Sequence, residues 1–488
     1  MTDLILVLDE GTTSTRALAF DLSGNIVAQA ARPLTQHFPQ PGWVEHDAAE
    51  IWAHSFACLR DVIAEVGVGR IVCLGLTNQR ETVVFWDAAS GEPLAPAIVW
   101  QDRRTAAMCG ALRDAGHEPQ VQATTGLLLD PYFSGTKIAW ALNEWPAVRA
   151  AADAGTLRIG TVDSYLLFRL TEGRVHATDA TNASRTLLMN LATCAWDDAI
   201  LDLFGVPRAA LPTITDCAGA LGTTTLLGGE IVITGSAGDQ HAAAIGQACL
   251  SPGAVKATYG TGCFVLAHAG AAPPVSRHRL LATLAWRLGG VAAYALEGSI
   301  FTAGAAVQWL RDGLGLIGDS AETEALARSV PDSGGVVFVP ALAGMGAPHW
   351  RPDVRGLLTG LSGGTTRAHV ARAALEAMGH QTADLLNALA ADGVTPARLR
   401  VDGGMVANDW LCQDLADTTG LIVERPRVIE TTALGAAMLA GVGAGLFASL
   451  DEAAAMRQSD RVFTPAISAE TRAARRAHWA HAIAQALT

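Results

Sequence analysis

Asp9-Glu10-Gly11-Thr12-Thr13-Ser14-Thr15-Arg16 places two carboxylates, a glycine, four hydroxyls and a guanidinium within eight residues. Holding a phosphate group takes those types: backbone N–H groups exposed at a Gly turn, hydroxyl donors, an Arg, and a carboxylate able to hold Mg2+ through water. The plain alternative is a polar turn facing solvent, and four consecutive hydroxyls directly after D-x-G favour phosphate. Asp239, in Gly235-Ser236-Ala237-Gly238-Asp239-Gln240-His241, follows the apolar run Ile231 to Gly235. A carboxylate there can take the proton of an attacking hydroxyl. It can equally cap a helix starting at His241, the role this segment alone favours. Arg80 and Glu81, adjacent and opposite in charge, could clamp a polyol by bidentate hydrogen bonds, with Trp100 and Phe264 walling its carbons. Taken alone they read as a surface ion pair worth ~0–1 kcal/mol.

These residues need elements to hold them. Leu4 to Ala30 reads as strand, Gly/Thr turn, strand, a second turn at Ser23-Gly24-Asn25, and strand; Ala254 to His268 repeats strand, Gly-Thr-Gly turn, strand. Leu399 to Gly420 reads as strand, Gly-Gly turn and helix. Helices are predicted over Ala48 to Val66, Thr136 to Ala151, Phe301 to Leu314, Arg367 to Ala391 and Ala433 to Leu446. Strands alternating with helices predict an α/β fold, and similar units in both halves hint at a duplication with one nucleotide cleft. The boundary is placed near Gly246, giving domains 1–246 and 247–488. Gly313 to Gly318 fits G-x-G-x-x-G but follows a helical pattern. Gly360-Leu361-Ser362-Gly363-Gly364 fits G-x-S-x-G without a convincing apolar strand before it. Both are discounted.

Composition narrows the function. The 488 residues are 50% apolar and 17% charged with a net charge of −13, which excludes a disordered chain and argues against gripping nucleic acid. Only Lys137 and Lys256 are lysines, and neither sits in a P-loop, so phosphate is expected to be held by Mg2+, backbone N–H, hydroxyls and Arg16. Eight scattered cysteines with no zinc spacing predict reduced thiols and a cytoplasmic protein. The N-terminal apolar run has no cationic flank, so no signal peptide is expected. Leu434 to Leu450 is uncharged but short and rich in Ala and Gly, which predicts a packed internal helix and no membrane insertion.

Together these residues resemble the FGGY family of carbohydrate kinases over almost the whole chain. The resemblance rests on LDEGTTSTR, GWVEHD (Gly42 to Asp47), LTNQRET (Leu76 to Thr82), AIVWQDRRT (Ala97 to Thr105), DPYFSGTKIAW (Asp130 to Trp140) and HATDATNASRTLL (His176 to Leu188). It continues in AGDQ (Ala237 to Gln240), YGTGCF (Tyr259 to Phe264), LEGSIFTAGAAVQWLRD (Leu296 to Asp312), RVDGGMVAN (Arg400 to Asn408) and ERPRVIETTALGAA (Glu424 to Ala437). Arg80-Glu81, Trp100 and Tyr132 point within the family to members acting on glycerol. The resemblance implies a duplicated, actin-like (ribonuclease H-like) ATPase fold with the nucleotide between two domains, and ATP-dependent phosphorylation of glycerol to sn-glycerol 3-phosphate. Carried over by position, Arg80, Glu81, Tyr132, Asp239 and Gln240 would bind the hydroxyls, Trp100 and Phe264 would cover the carbons, and Asp239 would be general base. Thr12, Thr13, Ser14, Arg16 and Thr261 would surround the ATP phosphates, Gly304, Gln308, Gly404 and Asn408 would hold the nucleoside end, and Asp9 would organise Mg2+. It further implies a homo-oligomer, dimer or tetramer.

The chain departs from the family pattern at His241 (usually Gln), Tyr165 (usually Trp), His349 (usually Tyr) and Asp409 (usually Asn). Gly219 to Ile233 lacks the G-G-T-R loop of members that bind fructose 1,6-bisphosphate, so inhibition by that metabolite is not expected. The alternatives are a kinase of another small polyol (erythritol, dihydroxyacetone), a non-catalytic actin-like regulatory protein, and a serine hydrolase resting on Ser362.

Overall fold

A computed structural model of the chain describes residues 3–351 and 353–488. Two sheets dominate it. The first is built from β1 (Leu4–Glu10), β2 (Ser14–Asp21), β3 (Ile26–Pro33), β4 (Ile71–Asn78), β5 (Ala218–Thr224) and β6 (Ile231–Gly238) in the order β3-β2-β1-β4-β6-β5. The second is built from β7 (Ala254–Tyr259), β8 (Cys263–Gly270), β9 (Leu281–Leu288), β10 (Val291–Ile300), β11 (Arg398–Asp402), β12 (Ile422–Pro426) and β13 (Ser459–Phe463), in the order β9-β10-β8-β7-β11-β12-β13.

The sense of pairing repeats. Across the first sheet it runs antiparallel, antiparallel, parallel, parallel, antiparallel. From β10 to β13 the second sheet gives the same sequence. The duplication hinted at by the Gly/hydroxyl turns is therefore present in the strand order, with β9 as an addition. Strand β1 is buried at all seven positions, as a continuous apolar run covered on both faces requires. Parallel β1, β4 and β6 end at Glu10, Asn78 and Gly238, and parallel β7 and β11 end at Tyr259 and Asp402. Carboxyl ends of parallel strands are where α/β sheets bind ligands, so Asp9, Arg80, Asp239, Thr261 and Gly404 all fall at such ends.

The helices Ala48–Val66 and Arg367–Ala391 have the expected bounds. The Thr136 to Ala151 expectation is corrected: Ser134–Glu144 stops at Trp145, which is extended, and Pro146–Asp153 begins a second helix. Proline disfavours helical geometry in the residue before it and suits the first turn of a new helix. Phe301 to Leu314 is also divided, into an α-helix over Gly304–Gln308 and a π-turn over Trp309–Gly313.

The uncharged Ala/Gly stretch Leu434 to Leu450 lies up to Gly443 in the helix Thr431–Gly443, which is buried over ten of its residues and ends three residues before the expected Leu446. Its small residues allow close approach: a Cβ on Gly75 of β4 would lie 2.6 Å from the Ala436 carbonyl oxygen. A Cβ on Gly435 would collide with the carbonyl oxygen of Ala242, in the helix Asp239–Gly246. No helix of the described residues is long and apolar enough to cross a membrane. Because backbone atoms cannot yield as side chains do, Gly435→Val is expected to destabilise the fold by at least ~1–3 kcal/mol. The urea midpoint measures this. Gly110→Ala, in a helix with nothing near the new methyl, should match or exceed the wild type by up to ~1 kcal/mol. A Gly435→Val midpoint equal to the wild type's would contradict the packing argument.

Candidate active site

The first phosphate-loop candidate is the hairpin turn between β1 and β2, closed by Gly11 N–H donating to the Ser14 carbonyl at 3.0 Å. Thr13 is exposed, and Thr12 and Ser14 are half-buried. Thr15 turns away, its hydroxyl donating to both oxygens of buried Glu10 at 2.9 and 2.7 Å. Burial lifts the Glu10 carboxyl to about 8, against the hydrogen bonds it accepts from Thr15 and Ser55, and those bonds tie it into the structure. Asp9 is 2% exposed, and its Oδ2 accepts from Arg16 Nη2 at 2.5 Å. Arg16 Nη1 donates to Glu430, a neighbour absent from the sequence argument. Burial, with help from Glu430, raises the Asp9 carboxyl, and Arg16 opposes the shift.

The described residues contain no group of three or more His, Cys, Asp or Glu able to cage a metal. A single buried carboxylate beside a hydroxyl-rich turn still fits Mg2+, which keeps several waters and takes its other ligands from substrate phosphates.

Thr261 is exposed in the turn between β7 and β8, where its carbonyl accepts from Ala303 N–H at 2.9 Å and Ala305 N–H at 3.0 Å. This ties the turn to Gly304, whose own N–H donates to Gly260 at 2.9 Å. Gln308 and Gly404 are exposed, and a Cβ on Gly404 would meet nothing within 4 Å. Asn408 has a duty the sequence reading lacked: its Oδ1 accepts from Leu411 N–H at 3.0 Å and caps the helix Asp409–Thr419.

The polyol candidates converge. Arg80 and Glu81 are 2% and 1% exposed, so the surface ion-pair alternative is overturned; their closest charged atoms are 4.0 Å apart. Arg80 Nε lies 3.2 Å from Asp239 Oδ1, Arg80 Nη1 donates to Glu297 Oε2 at 2.5 Å, and Arg80 Nη2 reaches Tyr132 Oη at 3.5 Å. Glu81 takes a left-handed backbone conformation (φ 61°) and accepts from Arg185 Nε at 2.6 Å. Trp100 meets Tyr132 edge-on at 5.6 Å and Phe264 at 6.2 Å, and its Nε1 donates to Thr12 Oγ1 at 2.9 Å. That hydrogen bond joins the apolar wall to the first phosphate-loop candidate.

Asp239 is the first residue of its helix, and the N-cap is Gly238, which corrects the capping expectation. Its side chain is 30% exposed, with Oδ1 accepting from Gln240 N–H at 2.6 Å. No hydrogen bond of the described residues reaches Oδ2. Burial raises the carboxyl, while Arg80 and Lys256 pull it down and favour the ionised, proton-accepting form.

Lys256 is the chief surprise. This residue, outside any P-loop and given no role in the sequence, is fully buried on β7, and its Nζ donates to Gln240 Oε1 and, at 2.8 Å, to Thr258 Oγ1. The other lysine, Lys137, is also fully buried; burial lowers it to about 7, and its Nζ holds the Tyr132 carbonyl at 2.8 Å. Both lysines of the chain thus brace candidate polyol residues, Gln240 and Tyr132.

Among the departures, His241 is fully buried beside Arg80, Arg185 and Lys256 and held neutral by burial and those cations, with Nε2 3.3 Å from Thr283 Oγ1. It therefore adds no charge near Asp239. Tyr165 packs edge-on against Trp86 at 5.3 Å, and Asp409 pairs with Arg425 at 2.9 Å. Of the two discounted motifs, Gly360 to Gly364 does follow a strand, Leu357–Thr359, contrary to expectation. Ser362 is exposed and its Oγ accepts from Gly364 N–H at 3.3 Å, with no histidine bonded to it. Gly313 to Gly318 follows the π-turn and no strand.

Two strand-order repeats, each with a Gly/hydroxyl turn at the end of a parallel strand, define a duplicated α/β fold, and the family models agree. Residues 4–246 match the N-terminal domain and residues 255–444 the C-terminal domain of the FGGY family of carbohydrate kinases, and the chain belongs to that family. Within it, the chain is 56% identical over 484 residues to the glycerol kinase of Rhodospirillum rubrum, covering 98% of each. It is 56% identical over 486 residues to the glycerol kinase of Alcanivorax borkumensis, covering 99% of this chain and 98% of that one. The solved structure of Plasmodium falciparum glycerol kinase with ADP superposes with a TM-score of 0.95 at 35% identity, covering 100% of this chain and 99% of the other. The fold is the actin-like kinase fold.

Proposed function

We propose that the protein is an ATP-dependent glycerol kinase that makes sn-glycerol 3-phosphate, with domains 1–246 and 247–488 closing on the substrates. The observation that carries the reading is Asp239, its Oδ2 unengaged, beside buried Arg80 and the Trp100–Tyr132–Phe264 wall. Relatives named glycerol kinase match the chain end to end.

In this reading Arg80, Glu81, Tyr132 and Gln240 orient the glycerol hydroxyls and the aromatic wall excludes water from its carbons. Asp239 takes the proton of a terminal hydroxyl as that oxygen attacks the γ-phosphorus in line; the bond to the ADP oxygen breaks and ADP leaves. N–H and hydroxyl donors of Thr12, Thr13, Ser14 and Thr261, with Arg16, neutralise charge on the transferring group, while Gly304, Gln308, Gly404 and Asn408 form the nucleoside end. Asp9 would hold Mg2+, which supplies charge neutralisation at the phosphates. General-base help is worth roughly 10²–10⁴-fold, so positioning and water exclusion must supply the larger share of the acceleration. The working compartment is the cytoplasm and the working form a homo-oligomer, a dimer or tetramer.

A coupled ADP-release assay with ATP, Mg2+ and a panel of polyols tests the reading. Glycerol is expected to stimulate turnover most, and stronger stimulation by erythritol or dihydroxyacetone would replace it. Ser362→Ala is expected to leave glycerol phosphorylation unchanged; loss of activity in that variant would revive the hydrolase alternative.

A further inference from the structure

Two buried charged residues bonded to the polyol candidates, Glu297 and Arg185, have no part in the mechanism above. Glu297 is 1% exposed on β10 of the second sheet, and its two oxygens serve different guanidinium groups. Oε2 accepts from Arg80 Nη1 at 2.5 Å and Oε1 from Arg185 Nη2 at 2.8 Å. Arg185 is fully buried, and its Nε donates to Glu81 Oε1 at 2.6 Å. The Arg185 guanidinium also lies 5.7 Å from the centre of the Tyr132 ring. One arginine therefore touches Glu81, Tyr132 and Glu297, and Glu297 in turn touches Arg80. Glu81, Glu297 and Arg185 are all at most 1% exposed, so loss of any one of them leaves a buried charge short of a partner.

The geometry at Arg80 gives this network a consequence for the base. A guanidinium prefers to meet a carboxylate with two parallel N–H donors. Arg80 instead divides its three nitrogens among three partners, Nε lying 3.2 Å from Asp239 Oδ1, Nη1 donating to Glu297 Oε2 at 2.5 Å and Nη2 reaching Tyr132 Oη at 3.5 Å, so the bond to Glu297 fixes the plane in which the other two contacts are made. Arg80 follows β4 of the first sheet and Glu297 lies on the second, so this bond joins the two halves of the chain. Arg185 is anchored on the same side as Glu297, since the neighbouring Ser184 hydroxyl bonds Thr283 Oγ1 on β9 at 2.8 Å.

We propose that Glu297 and Arg185 are positioning residues for glycerol recognition: Glu297 holds the Arg80 guanidinium in the orientation that meets Asp239 and Tyr132, and Arg185 sets Glu81 and Tyr132. This rests on the glycerol reading above. It makes the seating of the polyol residues depend on the second half of the chain, although those residues, Phe264 apart, belong to the first.

Steady-state kinetics of Glu297→Gln, an isosteric change that removes the charge, test it, with Glu297→Asp as a charge-keeping companion. The expected result is a glycerol KM raised at least about 10-fold, the factor one lost charge-assisted hydrogen bond carries. The KM for ATP is expected to stay within about twofold, since the nucleotide candidates do not touch the network, and Glu297→Asp should recover part of the loss. Arg185→Lys, which keeps the charge and loses the fork, should likewise raise the glycerol KM selectively. Glu297→Gln with a wild-type glycerol KM, or with both KM values raised alike, overturns the proposal while the wild type still phosphorylates glycerol. If Glu297→Gln does not fold, Glu297→Asp and Arg185→Lys decide, and unchanged glycerol KM values in both overturn it. A wild type that phosphorylates no polyol would overturn the functional reading and this proposal together.

Discussion

Asp239→Asn lowers turnover at least ~10²-fold with glycerol still bound. Asparagine keeps the size of the side chain and an oxygen for Arg80 Nε and the Gln240 N–H, which lie 3.2 and 2.6 Å from Oδ1. What it removes is the capacity to take a proton at Oδ2. The step that needs a base loses it, and the hydrogen bonds that orient the hydroxyls from Arg80, Tyr132 and Gln240 remain. Rapid-quench turnover together with glycerol binding by calorimetry separates these two effects. Near-normal turnover would remove Asp239 from the base role, and loss of binding in proportion to turnover would make it a substrate clamp alone.

Arg80→Ala has the second large effect. A surface pair would cost ~0–1 kcal/mol, the figure the sequence alone suggested. Here the guanidinium is 2% exposed and contacts Glu297 and Asp239, so its removal strands buried carboxylates at a cost of about 3–5 kcal/mol of stability. Arg103→Ala is the internal comparison: Arg103 pairs with Asp130 at 2.8 Å but its side chain is 50% exposed. That variant should unfold within ~1 kcal/mol of the wild type. Chemical denaturation of the two variants side by side decides, and an Arg80→Ala midpoint as mild as Arg103→Ala would mean the network is not the buried lattice described here. Glycerol phosphorylation by folded Arg80→Ala should also be severely impaired, since the same change removes a hydroxyl donor and the partner of the base.

The two variants also separate what local sequence carries from what it does not. The phosphate-loop hairpins were readable because an apolar strand running into Gly and Thr has few local solutions, and β1–β2 and β7–β8 are those solutions. Arg367–Ala391 was readable to its ends because helical periodicity runs 25 residues without Pro or a competing turn. At 134–153 the apolar spacing outweighed Pro146 in the reading, yet Pro146 set the break. The Asp239 segment taken alone favours a cap, because a carboxylate at a helix start is a common one, and only the backbone shows that Gly238 holds that position.

Residue types and short spacings by themselves determined the α/β class, the two phosphate-type turns, the Asp239 and Arg80–Glu81 candidates and the family. The class and the turns depend on interactions within one turn or one strand, and the candidates and the family rest on motifs matched along the whole chain. Tertiary structure alone decided that Arg80 and Glu81 are buried, that the two lysines brace the site, and that Arg185 and Glu297 complete it. Those facts turn on which charges share a low-dielectric space: Arg80 and Glu297 stand 217 positions apart and meet at 2.5 Å. The worth of a charged side chain is set by its burial and its partners, and neither is written in its neighbours along the chain.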